Sequence, residues 1–407
     1  MTRTERQLLS IERWKNAGGK ATIVAATGVG KTRIGIFTIQ RVLKQHPESK
    51  IVVVVPTDVL RVQWLQELEK WEGAEAEVII INTASKAPFF CNFLIVDEIH
   101  RSASECLRQV FLNTQPQLIL GLTATYERLD GKEKEVLDKY APKCDEIPLE
   151  EARKNGWVAP YREYKVLLDV DLTEYNKMDT VFLQNFSFFG YDFETAMGCV
   201  TDFWKQQVFA KKMGCTVQEV KAHAYQWNKA MRFRKTFVMN HPKKLEIAKK
   251  ILKARPHAKA ITFDGSIKQC EQYDSGFVLH SGNTKKDNKQ VIEEFSRCSS
   301  GVIHTSKMAD EGLDLKGLNL AIITGFNSSQ ISKRQRIGRV IRAEEGKEAE
   351  VFTLVIKSTV EDKWFKKSSE QLRYIEIDER ELEEILNNVT LNNKQEQLQN
   401  VELNFRL

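Results

Sequence analysis

Long hydrophobic runs are missing from this 407-residue chain. No stretch approaches the roughly 18–20 apolar residues that cross a bilayer, so no membrane span is predicted. The opening, Met1 to Arg6, is charged and has no apolar segment behind it, so no secretory leader is predicted either. Cysteine is scarce and odd in number, seven in all, and no two form a Cys-x-x-Cys pair. That argues against a disulfide framework or a zinc ribbon and fits a reducing, cytoplasmic setting. Nine Pro and 21 Gly are too few for a collagen-like or low-complexity chain, and no solenoid-period repeat is present.

What is there describes an ordinary globular protein: 42 % hydrophobic and 29 % charged residues, in a chain long enough for two or three domains. The net charge of +6 says little alone, but its distribution is uneven. Residues 203–260 hold fifteen Lys/Arg against two Asp/Glu, whereas Ser368 to Leu407 hold four against nine. A basic middle suits a polyanionic partner, and equally a solvated helical face.

Residues 1–149 alternate apolar strands with helical patterns. Strands are predicted over Ile23 to Ala26, Ile51 to Val55, Val78 to Ile81, Phe93 to Val96 and Leu118 to Leu122, with helices over Thr32 to Gln45 and Leu60 to Trp71. The same grammar returns over 243–365, with a helix at Lys244 to Leu252 and strands at Ala260 to Phe263, Val302 to Thr305, Leu320 to Thr324 and Val351 to Ile356. The reading is α/β: two similar parallel-sheet domains. Between them, residues 150–242 are aromatic, basic and mainly helical in period, bounded by Pro148, Pro160 and Pro242. Residues 366–407 read as an acidic helix over Glu379 to Leu386 followed by an Asn/Gln-rich tail.

Two motifs carry chemistry. Ala25-Ala26-Thr27-Gly28-Val29-Gly30-Lys31-Thr32 stands between a strand and a helix. Glycines let backbone N–H groups turn inward around an anion, and the helix start adds its positive end. Thr27, Gly28, Val29 and Gly30 would cradle phosphates, Lys31 would reach the β/γ-phosphates and the Thr32 hydroxyl would ligate Mg²⁺. Ala25 replaces the first glycine of the usual phosphate-loop pattern. The second motif, Ile95-Val96-Asp97-Glu98-Ile99-His100, runs an apolar strand straight into two carboxylates, at the end where parallel sheets bind ligands. Asp97 suits a Mg²⁺ ion held through water, and Glu98 suits orienting or deprotonating an attacking water.

Gly121-Leu122-Thr123-Ala124-Thr125 and Gln335-Arg336-Ile337-Gly338-Arg339-Val340-Ile341-Arg342 look like helicase motifs III and VI. With the phosphate loop and the Asp-Glu-Ile-His box, the chain resembles a superfamily 2 helicase or translocase over roughly residues 1–360, most of the middle segment excepted. The resemblance implies two RecA-like domains that clamp ATP, with the mainly helical segment inserted between them. It implies Arg339 and Arg342 as arginine fingers and Gln335 beside the γ-phosphate. It places Gly312 and Asp314 in motif V, near the nucleotide, with Thr305 beginning that motif against the nucleic-acid backbone. Pro56 and Thr57 match motif Ia and Thr83 a motif Ib position, all holding backbone rather than reading bases. Gln7 stands where the family often reads adenine; the usual companion arginine is not in its place, and Arg6 adjoins instead.

The Asp-Glu-Ile-His box and Gln335 depart from the common RNA-helicase pattern. The likeness is to DNA-repair translocases, restriction motors and phage branch-migration helicases, which implies DNA rather than RNA as partner and a bacterial or phage-infected cytoplasm. In the middle segment Phe203, Trp204, Phe209, Tyr225, Trp227, Phe233 and Phe237 are interleaved with cations, among them Lys211, Lys212, Arg232, Arg234 and Lys235. Such cations suit phosphates, while most of the aromatics suit a helical core. The sequence leaves open a motor that separates strands, an ATP-switched clamp that does not, and an RNA helicase.

Overall fold

Ile51–Val55, five β-branched residues in a row, form a strand buried along its whole length, as expected of a parallel sheet covered on both faces. The computed structural model describes residues 1–100, 108–126, 133–306, 315–327, 333, 336–338, 340, 348–369 and 373–387. The first unit runs α1 (Arg3–Asn16), β1 (Lys20–Ala25), α2 (Lys31–Gln45), β2 (Ile51–Val55), α3 (Asp58–Leu68), β3 (Glu77–Ile80), α4 (Ile81–Ala84), β4 (Phe93–Asp97), α5 (Gln109–Leu112), β5 (Leu118–Thr123), α6 (Glu133–Tyr140), β6 (Lys143–Ile147) and α7 (Leu149–Lys154). Its six strands lie in the order β3-β2-β4-β5-β1-β6, all parallel. The loops after β1, β4, β5, β2 and β3 therefore share one edge.

The second unit begins earlier in the chain than the sequence pattern suggests. Strand β7 (Tyr161–Leu168) precedes four helices, α8 (Thr173–Phe188), α9 (Phe193–Thr201), α10 (Phe203–Met213) and α11 (Val217–Asn240). After them come α12 (Pro242–Ala254), β8 (Lys259–Phe263), α13 (Ile267–Cys270), β9 (Phe277–Leu279), α14 (Lys285–Arg297), β10 (Gly301–Thr305), β11 (Leu320–Ile323), β12 (Ala349–Ile356), α15 (Val360–Ser368), β13 (Ile375–Ile377) and α16 (Glu379–Leu386). The second sheet is again parallel, ordered β13-β7-β12-β11-β8-β10-β9. Because β7 pairs with β12 over its full length, the helices α8–α11 leave and re-enter the second unit.

Both expected parallel-sheet units are present, and the acidic helix falls at Glu379–Leu386 as read, capped by Asp378 in a reciprocal bond pair with Glu381. Its Leu382 and Ile385 pack into the second unit's core beside Tyr164 and Phe352. Strands β6, β7, β9 and β13 escaped the reading. In β7, Tyr-Arg-Glu-Tyr-Lys breaks the apolar pattern, yet Glu163 and Lys165 are buried. Each is neutralised from far along the chain: Glu163 by Lys333 at 2.5 Å, Lys165 by Asp362 and Glu376 at 2.8 Å each.

A third buried pair joins α12 to α15. Lys244 Nζ lies 2.6 Å from Glu361 Oε1, both fully enclosed, and donates also to the Thr324 carbonyl at 2.7 Å. Burial pulls the Lys244 ammonium down and pushes the Glu361 carboxyl up to about 7. Removing one member leaves an uncompensated buried charge. Lys244→Met should therefore cost about 3–5 kcal/mol in denaturant unfolding, and the double change Lys244→Met/Glu361→Leu should recover most of it.

Candidate nucleotide and nucleic-acid site

β1 ends at Ala25 and α2 starts at Lys31, so the phosphate-loop residues fill the turn between them. Gly28 (φ 89°) and Gly30 (φ 94°) take left-handed backbone that a Cβ disfavours. Gly30 caps α2 without a side-chain acceptor, so the first N–H groups of a 15-residue helix face the loop. From α1, the fully buried Gln7 donates its Nε2 to the Val29 carbonyl at 2.7 Å, while its Oε1 is buried with no hydrogen-bond partner among the described residues. A buried acceptor beside a phosphate loop suits a base amino group. Arg6 faces elsewhere: it is buried against Asp145 and Glu151 and binds α1 to β6 and α7.

Lys31 Nζ sits 2.9 Å from Glu98 Oε1. Glu98 reaches it from a left-handed backbone (φ 49°), a conformation that strains a residue with a Cβ by about 1–3 kcal/mol and marks functional turns. Its other oxygen lies 3.5 Å from His100 Nδ1, and that same nitrogen is 3.0 Å from Thr123 Oγ1. Thr123 in turn donates to the Thr125 carbonyl at 2.8 Å. Lysine, box and Thr-Ala-Thr turn are thus one connected chain of polar groups joining the start of α2 to the ends of β4 and β5.

Asp97 is buried at the end of β4. Its Oδ2 accepts from Trp64 Nε1 at 2.9 Å and its Oδ1 from the Glu98 N–H at 3.0 Å. Burial, reinforced by the Glu98 charge, pushes its carboxyl up to about 6, against the pull of Lys31. Two adjacent carboxylates facing one lysine leave an excess of negative charge, which fits a divalent cation beside Asp97.

The second unit closes on this loop. Gly338 is buried, and a Cβ there would overlap the Thr27 side chain. On the connector, Val158 packs at Gly28, where a Cβ would fall 3.1 Å from Val158 Cγ1. The segment around 336–338 is held from below, with Arg336 Nη1 donating to the Gly325 carbonyl at 2.5 Å and Ile337 and Val340 in the core. Gly312, Asp314, Gln335, Arg339 and Arg342 lie outside the described residues.

The nucleic-acid candidates divide. Pro56 is buried; Thr57 caps α3 through the Leu60 N–H at 3.4 Å, and Thr83 is exposed on α4. Strands β2 and β3 stand three and four places from β1, about 14 and 19 Å at ordinary strand spacing, so these residues share the ligand edge but lie away from the phosphate loop. Thr305 is fully buried, its hydroxyl donating to the Ser306 carbonyl at 3.4 Å. Lys211, Lys212, Arg232 and Lys235 are exposed, and none forms a salt bridge among the described residues. Arg234 turns inward, 2.7 Å from Asp179 and stacked 4.0 Å over Phe182. Of the aromatics, Trp227 is fully buried and Phe209 partly so, while Phe203, Trp204 and Tyr225 are 56, 71 and 64 % exposed.

Residues 2–90 and 82–128 match the family described as type III restriction enzyme, res subunit, and residues 243–344 match the helicase conserved C-terminal domain. The DNA 3'-5' translocase XPB2 of Sulfurisphaera tokodaii is 26% identical over 371 residues, 84% of this chain and 79% of the relative. Putative helicase 22 of Sulfolobus islandicus filamentous virus is 24% identical over 404 residues, 91% of this chain and 66% of the relative. The chain belongs to the superfamily 2 helicases and translocases. It shares their ATP-hydrolysing activity. The chain spans only 42% of another superfamily 2 relative, the Drosophila melanogaster transcription and repair factor IIH subunit XPB, at 22% identity over 85% of this chain. The Pyrococcus furiosus Hef helicase domain superposes with a TM-score of 0.52 at 16% identity, covering 89% of this chain and 97% of that one. Mss116p bound to ssRNA and AMP-PNP gives 0.53 at 14%, covering 92% and 75%. These two likenesses concern the fold.

Among the described residues, no helix is long and apolar enough to cross a membrane. Sequence reasoning did not single out Gly338 as a contact or Trp64 as a site residue; the one signal for Trp64 was an indole on a helix of otherwise weak apolar pattern. Gly338→Ala should hold the second unit off the phosphate loop. Since a misplacement of about 1 Å costs on the order of 100-fold in rate, ATPase should fall by about that factor, with an unchanged unfolding midpoint.

Proposed function

We propose that this superfamily 2 protein is an ATP-driven DNA translocase or helicase acting on duplex or branched DNA in replication, recombination or repair, moving 3′ to 5′. The observation that carries the reading is the seat of Gly338 on Thr27, beside the Lys31–Glu98 pair: residues from both sheets meet at one phosphate loop. Relatives with DNA and 3'-5' in their names support the substrate and the direction.

In this account the triphosphate lies on the backbone N–H groups of Gly28 to Thr32, and Gln7 Oε1 accepts from the adenine amino group. Lys31 turns from Glu98 to the β/γ-phosphates. Glu98, relieved of that pairing and buttressed by His100, orients the attacking water and takes its proton. Mg²⁺, held by Thr32 and Asp97, would neutralise phosphate charge. Arg339, next in the chain after Gly338, and Arg342 would stabilise the transferring phosphoryl group, with Gln335 near the γ-phosphate. Gly312 and Asp314 would sense nucleotide from motif V. Thr57 and Thr83 would meet the DNA backbone along the first sheet's ligand edge, while the buried Pro56 and Thr305 would shape the strand ends behind such contacts. Closing and reopening the seam alternates the grip of the two units and moves the strand.

The helices α8–α11 would supply the second contact. Trp204, Val208, Lys211 and Lys212 recur at helical spacing on α10 and are all exposed, an aromatic-and-cation face that suits a single strand. Arg232 and Lys235 extend the positive charge on α11, and Arg234 orders the bundle that presents it.

Lys31→Ala and Glu98→Gln should each lower turnover at least about 100-fold, with Glu98→Gln still binding ATP. Changing Lys211 and Lys212 together to Ala should reduce the salt slope of single-strand affinity by about 1.4, as loss of two phosphate contacts requires. The deciding experiment measures ATPase stimulation and strand displacement with single strands, blunt duplex, forks, four-way junctions and RNA at two salt concentrations. DNA-stimulated turnover with displacement supports the proposal. Stimulation without displacement identifies a clamp, and stimulation by RNA alone identifies an RNA helicase.

A further inference from the structure

Helix α3 buries only two of its eleven residues, Trp64 and Leu68, while Val59, Val62 and Leu65 stay exposed. Thr57, the candidate DNA-backbone contact, caps its start, and its hold on the core rests on Trp64 and Leu68, with Leu60 partly buried beside them. Trp64 is 1 % exposed. Its six-membered ring occupies space left by Gly35 of α2, where a Cβ would fall 2.5 Å from Trp64 Cη2. Its Nε1–H donates to Asp97 Oδ2 at 2.9 Å.

The geometry is restrictive. An indole has one donor, and burying it without an acceptor costs about 1–3 kcal/mol, so Trp64 and the carboxylate move together. With Oδ1 held by the Glu98 N–H at 3.0 Å, both Asp97 oxygens are fixed in rotation about the carboxylate bond. Gly35 lies four residues after Lys31 on the same helix. One side chain therefore touches the DNA-facing helix, the phosphate helix and the metal-side carboxylate.

We propose that Trp64 is a positioning residue. It sets the rotation of Asp97 toward Mg²⁺ and carries displacement of α3, caused by DNA at Thr57, to that carboxylate. DNA thereby raises turnover without itself reaching the phosphates. The inference rests on the reading of Asp97 as the metal-side carboxylate.

The test uses the full chain. Trp64→Phe keeps an aromatic ring and removes the N–H; benzothienylalanine at position 64, which replaces the N–H by sulfur in a ring of the same shape, serves if the phenylalanine variant does not fold. Binding of a fluorescent ATP analogue is measured with Mg²⁺ and with EDTA, and ATPase with and without DNA. The wild type is expected to bind more tightly with Mg²⁺. The variant is expected to lose about tenfold of that Mg²⁺-dependent gain, the worth of a hydrogen bond to a charged group, with EDTA affinity unchanged and DNA stimulation reduced. Leu68→Ala, which loosens α3 without touching Asp97, should reduce DNA stimulation and leave the Mg²⁺ gain intact. A variant with the wild-type Mg²⁺ gain and the wild-type DNA stimulation overturns the role of Trp64. A wild type whose nucleotide affinity ignores Mg²⁺ overturns instead the reading of Asp97.

Discussion

The ion pair between Lys31 and Glu98 is the constraint around which the first unit is arranged. A lysine and a glutamate 67 residues apart meet because parallel strands β1 and β4 end on the same edge, with only β5 between them. The strained backbone at Glu98 then turns its carboxylate to the lysine. In the proposed mechanism a triphosphate would outcompete one carboxylate for the Lys31 ammonium and leave Glu98 to act on water. Gln7, His100, Thr123 and Trp64 each fix one member of this arrangement from a different element.

Much of this was legible in the chain. Ile51–Val55 announced a covered strand, the glycines before Lys31 announced a tight turn from strand into helix, and Asp97-Glu98 announced the strand end. These signals are local: each lies within one turn or one strand. What was not legible depends on distant residues. The charged β7 sits in a buried sheet only because Lys333, Asp362 and Glu376 arrive from the other end of the chain. Trp64 looked like an ordinary apolar helix residue until folding set its indole against Asp97. Arg234 looked like its exposed neighbours Arg232 and Lys235, and only the packing of α11 on α8 turns it inward to Asp179 and Phe182.

The placement of β7 also changes how the helical segment relates to the motor. It leaves from β7 and returns through α12, whose Lys244 is locked to Glu361, so both attachments belong to the second unit. A surface carried this way moves with the second unit. Opening and closing of the seam at Gly338 and Thr27, as proposed, would displace the Trp204 and Lys211 face relative to the Thr57 and Thr83 edge.

If the seam clamps ATP as proposed, one triphosphate touches both units. A photoreactive ATP analogue carrying its reactive group on the γ-phosphate, bound to the Glu98→Gln protein and followed by peptide mapping, tests this directly. Label is expected both on the peptide containing Thr27 to Thr32 and on the peptide containing residues 336–342. Label confined to residues 1–149 would contradict it.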